Sequence, residues 1–272
     1  MFNDITLGQY LPGDSVVHRL DPRTKLALMV AYIVAIFLVK DMASFVLVAI
    51  FLVSVTLAAK IPIRYLVKAL KPMRIILPFM FFFNLLLVRK GELLFSWWII
   101  KIYDEGLYNA FFVVLRLAFL VVGTSLLTLT TTPIALTDGL EKILSPLKIV
   151  KFPAHELAMM MTIALRFIPT LVEEADKIKK AQLARGADFE SGNVFKRAKA
   201  MLPILIPLIV NSFRHANELA MAMESRCYHG GEGRTKMRVL RFHISDLVAA
   251  LVTAVLIAAV VLVQKYLLVL FL

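Results

Sequence analysis

The chain has 272 residues, of which 60% are hydrophobic and only 18% are charged, and its formal net charge at pH 7 is +12. Soluble domains usually carry about a quarter charged residues, and the apolar residues of this chain form long runs, so the composition excludes a soluble globular protein. The single cysteine, Cys227, excludes an internal disulfide. The cationic excess is expected in cytoplasmic loops and against membrane lipid rather than on nucleic acid, because no basic stretch outside the apolar runs is interleaved with aromatic residues.

Five apolar segments are predicted to cross the membrane, since a transmembrane helix needs roughly 20 apolar residues. In chain order they cover residues 25–39, 42–59, 75–88, 107–129 and 244–272. The first and third segments are short, and the first two could also form a tight hairpin through Lys40 and Asp41. No cleavable signal peptide is evident, so the first segment is expected to remain as a span.

The loops between these segments predict the orientation of the chain. Residues 60–74 carry five cations and no acid, which places this loop in the cytoplasm by the positive-inside rule. Residues 89–106 carry three cations and three acids, a balance expected of an outer loop. Arg19, Arg23 and Lys25 place the N-terminus in the cytoplasm, and the last span would then leave the C-terminus outside.

From residue 131 onward the chain becomes charged but keeps a helical spacing of apolar residues. Three amphipathic helices are predicted in this segment, covering residues 133–147, 153–185 and 193–226. Pro133 suits the first turn of a helix, and Gly186 suits the position just after a helix end. Pro169 is predicted to kink the second helix, while Pro203 and Pro207 are predicted to interrupt the third.

Two stretches of these helices, residues 157–168 and 201–210, are very apolar but too short for a transmembrane span. We expect crossing amphipathic helices that lie along the membrane; a buried core helix and a transmembrane hairpin are the alternatives. The predicted fold is thus an all-α polytopic membrane protein with about five transmembrane helices and a cytoplasmic coupling domain of three amphipathic helices. Its predicted parts are a membrane domain of four spans (1–130), the coupling-helix domain (131–243) and a C-terminal transmembrane helix (244–272).

An internal repeat ends the second and third of these helices. Arg185 and Arg226 lie 41 residues apart, and each follows a small residue, Ala184 or Ser225, within a shared frame of Ala, Asp/Asn, Ile/Leu, Ala, Ala/Ser and Arg. One interpretation is helix capping, because a cation complements the partial negative charge at a helix C-terminus. Since the pattern occurs twice, we favour docking of the two guanidinium groups onto carboxylates of a partner.

Motifs spread over nearly the whole chain carry a family resemblance. They are residues 18–26 (His-Arg-Leu-Asp-Pro-Arg-Thr-Lys-Leu), Arg116 with 130–133 (Thr-Thr-Thr-Pro), 165–169 (Leu-Arg-Phe-Ile-Pro), 181–186 (Ala-Gln-Leu-Ala-Arg-Gly), 223–228 (Met-Glu-Ser-Arg-Cys-Tyr) and 234–235 (Arg-Thr). Together they resemble the transmembrane T-component of energy-coupling factor (ECF) transporters for vitamins and metal ions. The resemblance implies a non-catalytic subunit, without a cofactor, in the plasma membrane of a prokaryote.

The same resemblance implies the partners and the docking residues. A family member holds a small substrate-binding membrane subunit, the S-component, and two cytoplasmic ABC-type ATPases, and its two Ala-Arg-Gly motifs insert into grooves on the ATPases. The first motif is matched in full, whereas the second keeps only its arginine, which leaves the ending of that helix open. The implied docking residues are Ala184, Arg185, Gly186, Ser225, Arg226 and Cys227.

Mechanical coupling is the function that follows from this resemblance. Closure of the ATPase pair on ATP would move Arg185 and Arg226, and the crossed helices would then shift the S-component. Pro169, Pro203 and Pro207 are candidate hinges for this motion. The chain has no G-x-x-x-x-G-K-[ST] run, so the nucleotide is expected to bind elsewhere.

Two other functions remain open, a stand-alone secondary transporter and an intramembrane enzyme. The first is expected to have inverted repeats and broken midplane helices, and the second to have acids or a His pair at membrane depth. Arg116 lies inside the fourth apolar segment, where a pathway role is one interpretation and a structural ion pair or carbonyl contact is the favoured one. No metal site is predicted, because the spacing of His215, Glu218, Cys227 and His229 matches no zinc pattern.

Overall fold

The computed structural model describes residues 10–88, 91–97, 100–150, 152–189, 191, 193–230 and 240–270. It divides the chain into two compact units. The membrane unit comprises Gly8–Gly139 and Leu240–Leu272, and the two-helix unit comprises Met1–Leu7 and Leu140–Val239. The three-part division at residues 130 and 243 stays a prediction.

The described residues form ten α-helices, two short 3-10 helices and one β-hairpin. In chain order these are α1 (Val16–Arg19), α2 (Pro22–Leu38), α3 (Met42–Ala59), α4 (Ile63–Leu70), a 3-10 turn (Lys71–Arg74), α5 (Ile76–Leu87), β1 (Leu93–Trp97), β2 (Ile100–Tyr103), α6 (Asp104–Thr130), α7 (Pro133–Leu144), a 3-10 turn (Ser145–Val150), α8 (Ala154–Ala184), α9 (Val194–Ser225) and α10 (Ile244–Leu270).

Helices α2, α3, α6 and α10 enclose the core of the membrane unit. Its fully buried side chains include Ile36, Val48, Leu129 and Val260. Helices α2 and α6 approach closely at Gly123, where an added Cβ would lie only 2.1 Å from Cε1 of Tyr32. Tyr32 donates its hydroxyl proton to the carbonyl of Phe119 at 2.8 Å. Glycine at 123 therefore sets the spacing of these two helices.

The prediction of an all-α polytopic membrane protein is confirmed. Among the described residues, four helices are long and apolar enough to cross a membrane: α3, α6, α8 and residues 244–266 of α10. Helix α4 with its 3-10 turn and α5 make a fifth candidate, a pair bent by 57°. Helix α2, predicted as the first span, has 17 residues. Helix α8 is the least apolar of the four, and its location along the membrane stays a prediction.

The predicted outer loop contains a short antiparallel hairpin that was not predicted from the sequence. Strand β1 pairs with β2, and Trp97 lies opposite Ile100. The backbone N–H of Asp104 donates to the carbonyl of Glu92 at 3.1 Å, next to the base of the hairpin. The two strands are too short and too local to change the fold class.

Helices α8 and α9 dominate the two-helix unit and run antiparallel. Their bounds lie within one residue of the predicted ones, 153–185 and 193–226. The predicted interruption at Pro203 and Pro207 is wrong, because α9 continues through both residues, as α8 continues through Pro169. Each proline removes one hydrogen-bond donor, and the remaining bonds of a helix of more than 30 residues hold it together.

Candidate functional site

The end of α8 has the geometry of a Schellman motif. Gly186 adopts φ +82°, and its N–H donates to the carbonyl of Leu183 at 3.0 Å. The N–H of Ala187 donates to the carbonyl of Gln182 at 3.0 Å. This pair of bonds closes the helix by backbone contacts alone and leaves Arg185 as the exposed C-cap residue.

The end of α9 repeats this geometry without a glycine. Cys227 adopts φ 57°, and its N–H donates to the carbonyl of Glu224 at 2.8 Å. The N–H of Tyr228 donates to the carbonyl of Met223 at 3.1 Å. The helix ending that the sequence left open is thus the same as that of α8, with Arg226 as the C-cap residue. A non-glycine residue in this left-handed conformation stores about 1–2 kcal/mol of strain.

Both arginines project from open helix tips. Each side chain is exposed, and among the described residues neither guanidinium has a hydrogen bond or an ion pair. A Cβ added to Gly186 would meet nothing within 4 Å, so the surface around the first tip is unobstructed. Because backbone N–H groups already bond carbonyls in the last turn of each helix, the two guanidinium groups are not needed as caps. The five N–H donors of each guanidinium therefore remain available to bind a carboxylate.

Contacts between α8 and α9 place the two tips at opposite ends of the helix pair. Glu174 accepts a hydrogen bond from Asn211 and lies 3.8 Å from Nε2 of His215. Farther along α8, Gln182 donates to the carbonyl of Pro203 at 3.5 Å. The partners thus run backward along α9 as α8 advances. At 1.5 Å per residue, the tips lie about 17 Å and about 22 Å from the Glu174–Asn211 contact in opposite directions.

Helix α9 also carries an exposed apolar stripe. The side chains lie at positions i, i+3, i+4, i+7 and i+11 of the helix and are between 45% and 69% exposed. They are Leu202, Leu205, Ile206, Ile209 and Phe213. A contiguous apolar surface of this kind marks contact with lipid or with another protein.

Arg116 makes a carbonyl contact inside the membrane unit. Its Nη2 donates to the carbonyl of Val39, at the end of α2, at 2.7 Å. The guanidinium also lies 4.6 Å from the ring centroid of Phe112 and 5.9 Å from that of Phe37. These contacts stabilise the cation by hydrogen bonding and by the faces of two aromatic rings.

A cavity of about 330 Å³ lies beside Lys25 and Tyr32 in the membrane unit. Its lining is almost entirely apolar, with Met29, Leu126 and Val252 among the contributing residues. The Lys25 ammonium and the Tyr32 hydroxyl are already bonded to oxygen atoms of the bundle. Such a lining suits an acyl chain better than a polar vitamin or a metal ion.

The buried polar cluster around Lys25 was not predicted from the sequence. Asp21, Lys25 and Asp246 are between 4% and 6% exposed. The backbone N–H of Asp21 donates to Oδ1 of Asp246 at 2.8 Å, although the two residues are 225 positions apart. The sequence carries one signal for this cluster: Lys25 and Asp246 are single charges at the edges of two apolar runs. Buried charges require partners.

Comparison with known proteins gives one consistent family. A family model described as cobalt transport protein matches residues 13–237. The chain is 54% identical over 253 residues to the energy-coupling factor transporter transmembrane protein EcfT of Thermosediminibacter oceani, with 93% of this chain and 95% of the relative covered. It is 51% identical to EcfT of Clostridium kluyveri, covering 94% and 96%, and 49% identical to EcfT of Bacillus subtilis, covering 88% and 91%.

Proposed function

The chain belongs to the family of energy-coupling factor transporter transmembrane proteins, and from this premise we propose that it couples ATP hydrolysis by two cytoplasmic ABC-type ATPases to movement of a substrate-binding membrane subunit. The observation that carries the proposal is the pair of matching arginine tips, Arg185 and Arg226, at opposite ends of one antiparallel helix pair. Two equivalent tips suit two equivalent partners.

Docking would place one tip in a groove on each ATPase. An exposed guanidinium can form two parallel hydrogen bonds with a carboxylate, which fixes both position and angle. The small neighbours Ala184 and Ser225 and the tight turns at Gly186 and Cys227 keep each tip narrow. A narrow tip with one strong anchor at its end is suited to insertion into a groove.

Transmission would then run through the helix pair. Closure of the ATPases on ATP changes the separation of their grooves, and the tips must follow. Because Glu174 contacts both Asn211 and His215, the middle of the pair resists sliding of one helix past the other. Pro169 and the two prolines of α9 remain candidate hinges, where a missing backbone donor lowers the resistance to bending.

The apolar stripe on α9, Leu202 to Phe213, offers a surface for the small membrane subunit that binds substrate. A vitamin or a metal ion would be held by that subunit, in keeping with the apolar lining of the cavity in this chain. Methionines such as Met160 and Met161, which are 54% and 42% exposed, add an adaptable surface for exchangeable partners.

The proposed location is the plasma membrane of a bacterium, with the N-terminus in the cytoplasm. Lys25 near the start of α2 bonds Thr130 at the end of α6, and Asp21 bonds Asp246 at the start of α10. These three helix ends therefore lie on one membrane face. The predicted topology places all three on the inner face, next to the ATPases.

The experiment is charge reversal at the tips, Arg185→Glu and Arg226→Glu, singly and together, with Lys177→Glu as the control on an exposed residue of α8 two turns before the first tip. Loss of a desolvated, bidentate arginine contact costs about 2 kcal/mol or more, which is roughly a 30-fold rise in Kd for the ATPase pair. Each tip variant should weaken ATPase binding and uptake, whereas the control should change neither. Unchanged binding and uptake in the double variant contradict the docking role.

A further inference from the structure

One turn of the membrane unit holds both ends of the segment that the chain contributes to the two-helix unit. From residue 10 onward, the described chain belongs to the membrane unit as far as Gly139 and again from Leu240. Both positions contact the turn that begins α2, at Asp21, Pro22 and Arg23.

The point of departure is held by close packing. Gly139 is buried, and an added Cβ would lie 3.1 Å from Cβ of Pro22, 3.2 Å from its carbonyl carbon and 3.3 Å from the backbone nitrogen of Arg23. Such distances leave no room for a side chain without movement of the α2 backbone. Glycine at this position therefore brings α7 directly onto the turn.

The point of return is held by charge and hydrogen bonds. Nη2 of Arg23 donates to the carbonyl of Leu240 at 2.9 Å, and the guanidinium lies 4.9 Å from the ring centroid of Phe242. Oδ1 of Asp246 accepts from the N–H of Asp21 at 2.8 Å, while its Oδ2 accepts from the N–H of His243 at 2.7 Å. Three successive contacts thus fix residues 240–246 to the same turn.

The turn is itself anchored to the end of α6. Nζ of Lys25 donates to the carbonyl of Thr130 and to Oγ1 of Thr131, both at 3.0 Å, and to the carbonyl of His18 at 3.2 Å. All three ammonium donors are thereby used. A buried cation with this many partners resists displacement, because any movement of α6 against α2 leaves it desolvated and unpaired.

We propose that Asp21, Arg23 and Lys25 form a coupling clamp, through which movement of the two-helix unit is transmitted to the transmembrane helices. The proposal rests on the proposed function, since it requires that the two-helix unit is driven by ATPases. Arg23 is a positioning residue in this scheme: it holds the returning chain so that a displacement of that chain becomes a displacement of α2 and α10. Without the contact between Arg23 and Leu240, residues 240–246 would move while α2 stays in place.

The test is Arg23→Ala in the full complex of this chain, two ATPases and a substrate-binding subunit, reconstituted in lipid vesicles. Arg116→Ala is the matched control, because Arg116 likewise donates to one backbone carbonyl and lies over an aromatic ring. Its contacts are at the other end of α2, away from Gly139 and Leu240. ATPase binding, the ATP hydrolysis rate and the substrate imported per ATP hydrolysed are measured separately.

We expect Arg23→Ala to bind the ATPases and hydrolyse ATP as the unaltered chain does, while substrate imported per ATP falls at least tenfold. Arg23→Lys should restore most of the ratio, since an ammonium can donate to the same carbonyl and lie over the same ring. Arg116→Ala should keep the ratio of the unaltered chain. If Arg23→Ala does not assemble, Phe242→Ala replaces it as the test, with an expected loss of at least twofold.

An unchanged ratio in the assembled test variant overturns the clamp, and so does an equal loss in Arg116→Ala, which would indicate general weakening of the bundle. These results differ from failure of the proposed function. That failure would appear in the unaltered chain, as absent ATPase binding or as uptake that does not depend on ATP.

Discussion

Replacing Cys227 with glycine should stabilise the end of α9. Cys227 adopts φ 57°, whereas the equivalent residue of the first tip, Gly186, adopts φ +82° without a Cβ to strain. The thiol is exposed, so its removal sacrifices little buried surface. The substitution therefore changes mainly the backbone energy of one residue.

The magnitude follows from two opposing effects. Relief of the left-handed conformation favours the variant by about 1–2 kcal/mol. The greater freedom of glycine in the unfolded chain opposes it by about 0.5–1 kcal/mol. The middle values of these ranges give a net stabilisation of about 0.7 kcal/mol, which slows exchange of amide hydrogens through opening of the last helical turn by roughly threefold.

Hydrogen exchange at residues 224–228, measured by mass spectrometry in detergent, checks this prediction. Cys227→Ala is the control, because it removes the thiol but keeps the Cβ and should leave exchange unchanged. Gly186→Ala is the converse variant: its Cβ would meet nothing within 4 Å, so strain alone should speed exchange at the end of α8. Equal exchange in Cys227→Gly and Cys227→Ala would refute the strain argument, as would a neutral Gly186→Ala.

Three further predictions concern the packing. Lys25→Met should lower the free energy of unfolding by about 3 kcal/mol, because three oxygen acceptors and a nearby carboxylate lose their cation; a melting temperature equal to that of the unaltered chain would contradict this. Gly123→Ala should cost about 1–3 kcal/mol by forcing Tyr32 aside, and a denaturation midpoint that does not fall would show that the helices separate freely. A double-mutant cycle of Glu174→Ala and Asn211→Ala should give a coupling energy of about 1 kcal/mol, whereas additive effects would exclude a direct contact.

Much of the fold could be predicted because its signals are local. The apolar runs predicted α3 with its observed bounds, Met42–Ala59. Helices α8 and α9 could be bounded within one residue, since Pro153 precedes the first and Gly186 follows it, and both ends carry the repeated arginine motif. The β-hairpin was missed because its strands lie in a short loop with balanced charge. The charges of this loop were used only to predict its side of the membrane.

The features that escaped prediction depend on contacts between distant residues or on backbone energy. Periodicity carries no information about the hydrogen bond between Asp21 and Asp246, which spans 225 positions. The continuity of α9 through Pro203 and Pro207 depends on how many neighbouring hydrogen bonds survive. A rule that treats every proline as the end of a helix does not count those bonds. The sequence identified Arg185 and Arg226, but only the φ angle of Cys227 shows that both helices end in a Schellman motif.

Docking of the helix tips into two ATPases can be tested most directly with the chain's one natural cysteine. Cys227 is exposed beside Arg226, so a maleimide reagent should label it readily in vesicles that hold the transmembrane chain alone. Addition of the ATPase pair should slow this labelling at least tenfold. Lys40→Cys in a Cys227→Ala background provides the comparison. Lys40 is exposed between α2 and α3, which the predicted topology puts on the side of the membrane opposite the N-terminus, so the ATPases should give it no protection. Labelling of Cys227 at the same rate with and without bound ATPases would contradict docking of this tip.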